Sequence, residues 1–174
     1  MADELLDIVN NMDEVTGQAM RSAVHQQGLQ HRGVHVFLFN ERGEMLIQKR
    51  SADRANSPSL LDCSVSEHVQ AGESYLEAAM RGLKEELGVE EIELALRGKI
   101  RMEYGVNDNE ISEIYEGWLA GKQVKFDPVE IAEVKFMSLD EIRAGISDNS
   151  ELFCYWFIQL TKWYLGEDAK LKTL

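Results

Sequence analysis

With 174 residues, 44% of them hydrophobic and 28% charged, the sequence supports one globular domain over 1–174 and argues against disorder. A formal net charge of −13 disfavours polymeric nucleic acid and anionic membrane surfaces as partners, while leaving room for a small anion accompanied by a divalent cation. No stretch is apolar for long enough to span a membrane. The acidic start MADELLDIVNNMDE lacks a secretory pattern, and Cys63 and Cys154 show no CxxC spacing. A cytoplasmic location with free thiols is the expectation.

In chain order, Leu5–Val9 and Val15–Met20 read as a short hairpin about a polar turn at Asn10–Asp13, followed by a brief helical stretch through Val24 and His25 that stops at Gly28. His31–Phe39 alternates: Val34, Val36 and Leu38 face one way, His35, Phe37 and Phe39 the other. The turn Asn40–Gly43 and the strand Met45–Lys49 complete a predicted hairpin. The polar stretch Ser51–Ser59, with Pro58, reads as a loop.

Glu73–Leu87 is the strongest helix, with Leu76, Ala79, Met80, Leu83 and Leu87 at spacings of three and four, Glu73 at its start and Gly88 as its stop. Strands are expected over Glu91–Tyr104, Ile111–Leu119 and Glu133–Met137. Ser138 with Glu141 forms a capping box for the next helix, and the aromatic-rich Leu152–Leu165 is a final amphipathic helix. The order of elements predicts an α+β chain, an α/β/α sandwich about a mixed sheet.

The chemistry concentrates in Glu67–Val89, EHVQAGESYLEAAMRGLKEELGV. Adjacent Glu85 and Glu86 point about 100° apart on the helix, yet both border the same side, where hard oxygen ligands suit Mg²⁺ or Mn²⁺. Taken alone, KEEL is an ordinary solvated helix face. The whole segment, however, resembles the Nudix box, G-x5-E-x7-R-E-U-x-E-E-x-G-U with U aliphatic. Glu73, Arg81, Leu83, Glu85, Glu86, Gly88 and Val89 match it, seven of nine specified positions across 23 residues. The resemblance implies a Nudix-type fold with residues 1–30 as N-terminal hairpin and short helix, 31–165 as core, and the box at 67–89.

It also implies a metal-dependent hydrolase of small substrates with two linked phosphates, in which Arg81 orients a metal-ligating glutamate. Two positions depart: Glu67 stands for the opening Gly, and Gly82 for the Glu after the Arg. Glu67 is expected, from the loop before the helix, to fill the space over Gly82 and restore the missing carboxylate. A fold that has lost catalysis and only binds is the other outcome those departures allow.

Outside the box, His25–His35, the S-V-S-x-H at Ser64–His68 and Asp108–Glu110 resemble isopentenyl-diphosphate isomerase and nearby Nudix hydrolases. That resemblance implies a divalent metal on His25, His31, His68, Asp108 and Glu110, with Glu110 also an acid/base. Ser66 falls where those isomerases carry cysteine. Alkene isomerisation needs two proton-transfer groups, and a serine with no evident base to tune it is a poor one, so hydrolysis is preferred over isomerisation. Cys63 is not expected to face the same pocket, and His35 is read as structural. Lys49, Arg50 and Arg54 are the candidates for gripping a diphosphate. Phe153, Tyr155, Trp156, Phe157, Trp163 and Tyr164 are expected to pack the core. A homodimer is compatible with the fold resembled, and the group attached to the diphosphate is not legible.

Overall fold

The computed structural model describes residues 3–105 and 107–174. The N-terminal hairpin, β1 (Leu5–Val9) and β2 (Val15–Met20), leads into α1 (Arg21–Gln27), which ends in the left-handed Gly28. There follow β3 (His31–Phe39), β4 (Met45–Arg50), β5 (Leu61–Asp62), β6 (Val65–His68), α2 (Tyr75–Leu87), β7 (Leu94–Gly105) and β8 (Asp108–Trp118). Then come β9 (Ile131–Met137), α3 (Leu139–Asp148), a 3₁₀ turn at Ser150–Leu152, α4 (Tyr155–Tyr164) and β10 (Lys172–Thr173). No described helix is long and apolar enough to cross a membrane.

The strands form one mixed sheet in the order β10-β7-β8-β3-β1-β2, with β6 and β4 also pairing β3, and with β5 and β9 on β4. The β3–β8 pair is parallel and the other pairings are antiparallel. The alternation of β3 divides the interior in two. Val34, Val36 and Leu38 pack with Leu83 and Leu87 of α2, whereas Phe37 and Phe39 pack with Ile142 of α3 and with Phe157 and Leu160 of α4. Helices therefore cover both faces, as the layered sandwich requires.

Local signals explain most boundaries, and a few differ from expectation. Ser74, not Glu73, is the N-cap of α2: its hydroxyl accepts the Glu77 N–H, and the Glu77 carboxylate returns to the Ser74 N–H. Leu76 lies outside at 46% exposure, because the inward ridge runs through Tyr75, Ala78, Gly82 and Glu86. Gly88 ends the helix at φ 63°, and the Ser138–Glu141 capping box opens α3, both as predicted.

The β3–β4 turn forms, but only Phe39 and Met45 pair across it. β4 then leaves to pair with β9. The final helix starts at Tyr155, because Leu61 bridges Phe153 and its carbonyl accepts the Cys154 N–H. β5, β6 and β10 were not anticipated, and β8 begins early enough to include Asp108 and Glu110.

Candidate functional site

Four of the five residues singled out as a metal set come from three adjacent strands, β6, β3 and β8. Parallel pairing sets His31 of β3 opposite Glu110 of β8, and antiparallel pairing sets Gly33 opposite His68 of β6. Side chains two apart on a strand share a face, so His31, Gly33 and His35 look the same way. Gly33 is needed there: a Cβ would lie 2.2 Å from Glu110 Oε2 and 3.0 Å from Ser112 Oγ. Its absence lets the Glu110 carboxylate fold over the strand, where the Ser112 hydroxyl donates to Oε2 at 3.0 Å. His25 arrives from α1.

The three imidazole centroids lie 5.1–5.2 Å apart. His31 Nε2 is 3.4 Å and His68 Nε2 3.8 Å from Glu110 Oε1, and His25 Nδ1 is 3.3 Å from Asp108 Oδ1. His25, His31 and His68 offer ligand atoms within 4.8 Å of one another, as do His31, Asp108 and Glu110.

His31 Nδ1 lies 3.0 Å from the Leu29 carbonyl, which fixes a proton there and turns Nε2 toward Glu110; burial lowers the pKa of this imidazole, but the Glu110 carboxylate outweighs it and raises it above the usual value. His25 Nε2, His31 Nε2 and Asp108 Oδ1 are buried without a hydrogen-bond partner. Orphaned buried polar atoms are rare, and here they converge, so the donor set fits a divalent ion. Burial holds His68 well below the usual imidazole range, leaving it neutral, as a ligand must be. Burial pushes Glu110 up, but His31 beside it outweighs this and keeps the carboxylate well below its usual value.

His25, His68, Asp108 and Glu110 line a cavity of about 60 Å³ that also reaches Glu67, Arg21, Arg50, Arg54 and Trp156, with His31 buried behind them. It continues into an outer vestibule of about 560 Å³, shared through Arg21, His25, Arg50, Arg54 and Asn56. Arg50 is held between its partners: Nη1 is 3.2 Å from buried Asp62, Nε donates to the Asn56 carbonyl, and the guanidinium lies over Trp156 at 5.4 Å. Arg54 pairs with Glu130. Lys49 is not brought to this cavity. It projects from the other face of β4, into a separate hollow with Glu133 and Lys135. Arg21, at the start of α1, was missed; only the folding of the N-terminal hairpin carries it to the cavity wall.

His35, expected to be purely structural, also lines the cavity, and its Nδ1 lies 3.0 Å from Ser66 Oγ. Ser66 thus has an imidazole beside it, contrary to the sequence expectation of no evident base. The signal was available in the spacing of His31 and His35 on one strand face. Cys63 stays out of the cavity, fully buried, though its Sγ touches Ser66 Oγ at 3.2 Å. Trp156 contributes to the cavity as well as to the core, while Phe153 and Phe157 pack inside.

The box residues divide. Arg81 grips Glu73 with two bonds of 3.0 and 3.1 Å, reaches Glu67 at 2.9 Å and Glu85 at 3.4 Å, and donates to the His68 carbonyl. Glu85 stays exposed at 62%, apart from the cavity, whereas Glu86 is buried against Gln48, so the two do not border one space. Glu67 lies on strand β6 rather than in a loop, and its Cγ occupies the space over Gly82.

Residues 29–157 match the NUDIX domain. The chain belongs to the Nudix family. An isopentenyl-diphosphate Delta-isomerase of Serratia proteamaculans is 32% identical over 164 residues, covering 92% of this chain and 90% of that protein. A Nudix hydrolase of Deinococcus radiodurans is 43% identical over 90 residues, 52% of this chain and 53% of its own. In structure, a Deinococcus radiodurans protein solved by crystallography superposes with a TM-score of 0.79 at 28% identity, over 92% of this chain and 98% of that one. The Nudix fold and mixed sheet expected from the box are therefore present.

Proposed function

We propose that this Nudix protein hydrolyses a phosphoanhydride bond in a small substrate with two linked phosphates and a hydrophilic appended group, using Mg²⁺ or Mn²⁺. The observation that carries the reading is one cavity lined by His25, His68, Asp108 and Glu110, with His31 buried behind them, and by Arg21, Arg50 and Arg54. The cluster would hold the ion, and a bound divalent cation lowers the pKa of water and absorbs phosphoryl charge. The chain's own groups do the positioning. The Leu29 carbonyl fixes the His31 tautomer, and Asp62 with Trp156 locks the Arg50 fork in an orientation that pairs with phosphate oxygens.

The character of the appended group follows from the walls. Among the described residues, Trp156 is the one apolar side chain on the inner cavity, and the vestibule presents Asp3, Ser22, Asp53 and Asn56, with only Ala55 and Val129 apolar. A sugar or nucleoside finds hydrogen-bond partners there, whereas a hydrocarbon tail desolvates polar groups without compensation.

A second reading, isomerisation of a prenyl diphosphate, is favoured by the Serratia relative and by the same five residues. Ser66 in place of cysteine weighs against it: a hydroxyl in contact with His35 is a weaker proton carrier than a thiol. Incubation with nucleoside diphosphates, sugar nucleotides and isopentenyl diphosphate, with Mg²⁺ and with Mn²⁺ in D₂O, separates the two. Phosphate-bond cleavage of a polar substrate supports hydrolysis. Deuterium in isopentenyl diphosphate without cleavage of any substrate overturns it.

A further inference from the structure

Arg50 and Arg54 line both the inner cavity and the vestibule, yet their carboxylate partners stand on different sides of them. Asp62, the partner of Arg50, is fully buried and also accepts the Trp156 indole N–H and the Cys63 backbone N–H, so it is fixed in the interior. Glu130, the partner of Arg54, borders the open vestibule. It belongs to the turn before β9, where its N–H donates to the Asp127 carbonyl. The Ser51 N–H donates to the Glu130 carbonyl at 2.9 Å, and the Arg54 N–H to the Ser51 carbonyl at 3.2 Å. These bonds hold the two main chains together, so Arg54 and Glu130 part by side-chain rotation alone.

Burial and the neighbouring Arg50 both push the Arg54 guanidinium below its usual range, with Glu86 and Glu67 pulling the other way. A half-buried cation beside another cation needs an anion, and in the empty cavity Glu130 supplies it. With side chains only 12% and 18% exposed, this pair is screened far less than an ion pair on the surface. A diphosphate offers the same guanidinium more charge and more oxygens in fork geometry than one carboxylate does. Carboxylate and phosphate call on the same N–H groups, so one displaces the other.

We propose that Glu130 is a built-in competitor for the substrate diphosphate: it holds Arg54 at the vestibule while the cavity is empty, yields it to the entering diphosphate, and takes it back as the products leave. Asp62, closed off behind Arg50, has no such exchange. Glu130 therefore sets substrate affinity through Arg54 without touching the reacting atoms. The inference rests on the assignment of Arg54 to the diphosphate in the hydrolase reading and goes beyond it.

Calorimetric titration of the full chain with methylenediphosphonate and Mg²⁺ tests the competition, because this probe resists hydrolysis and its binding is read apart from catalysis. Glu130→Gln keeps the side-chain length and the backbone bond from Ser51, and it is expected to bind the probe about tenfold more tightly than wild type, the scale of one charged hydrogen bond. In an Arg54→Ala background the same substitution should change affinity by less than about twofold, which closes a double-mutant cycle on the pair. Unchanged or weaker binding in Glu130→Gln overturns the proposal and makes Glu130 a group that only orients Arg54. Equal tightening with and without Arg54 overturns it too, because the effect is then the loss of one negative charge. A wild type that binds no probe also overturns it, and metal-dependent cleavage then decides the hydrolase reading by itself.

Discussion

The hydroxyl of Ser66 and the Nδ1 of His35 lie 3.0 Å apart, on strands whose register sets the two residues opposite each other. In the hydrolase account this pair is part of the cavity wall and carries no proton in the reaction. Ser66→Ala is therefore expected to leave kcat for phosphate release within about threefold of wild type. Loss of a working acid/base group costs roughly a hundredfold or more, and a drop of that size would contradict the account.

Gly33 faces the Glu110 carboxylate at a distance no Cβ tolerates. Gly33→Ala should displace Glu110, lower stability by about 1–3 kcal/mol as overpacking does, and weaken Mn²⁺ binding at the histidine cluster. Thermal melting with and without Mn²⁺ reads both effects. Unchanged metal affinity would show that Glu110 is not a ligand.

The arginines and Lys49 make a paired comparison. Arg54→Ala should raise KM by about thirtyfold, equivalent to roughly 2 kcal/mol for a charged hydrogen bond lost, with a smaller change in kcat. Lys49→Ala, on the opposite face of β4, should leave KM within about twofold. Equal effects from the two would place the diphosphate elsewhere.

What could be read in advance follows the range of the interactions. The helix of the box, the Gly88 stop, the Ser138 cap and the two faces of β3 depend on neighbours within a few residues, and they were legible. The motif resemblance singled out His25, His31, His68, Asp108 and Glu110, and the strand register brings their side chains close together. Lys49 and Arg50 looked equivalent because one residue of strand alternation separates a buried side chain from an exposed one. The role of His35 beside Ser66 depends on pairing between positions 31 residues apart. Glu85 and Glu86 looked like one unit, yet only the inward ridge carries Glu86 to the interior. The short β6 lacks the length that makes a strand visible.

Acid stability gives a prediction away from the site. Asp13 joins the N-terminal hairpin to the sheet: Arg32 Nε is 2.6 Å from Oδ1, Tyr75 donates to the same oxygen at 3.0 Å, and Lys99 binds Oδ2. Burial pushes its carboxyl up, but Lys99 and Arg32 outweigh this and hold it below the ordinary 3.8. A folded pKa below the unfolded one means the contribution is complete above about pH 4 and is lost as pH falls through the folded value. Urea unfolding from pH 6 to pH 2.5 should show that Asp13→Asn lowers stability at the upper end and flattens the acid limb. Parallel limbs for the two proteins would remove Asp13 from the account.

The most direct measurement is ³¹P NMR of the full chain with a sugar nucleotide and Mg²⁺ in H₂¹⁸O. Cleavage dependent on the metal, with ¹⁸O entering one of the two product phosphates, is the predicted result. No cleavage of any polar diphosphate, together with metal-dependent exchange of deuterium into isopentenyl diphosphate in D₂O, would contradict it.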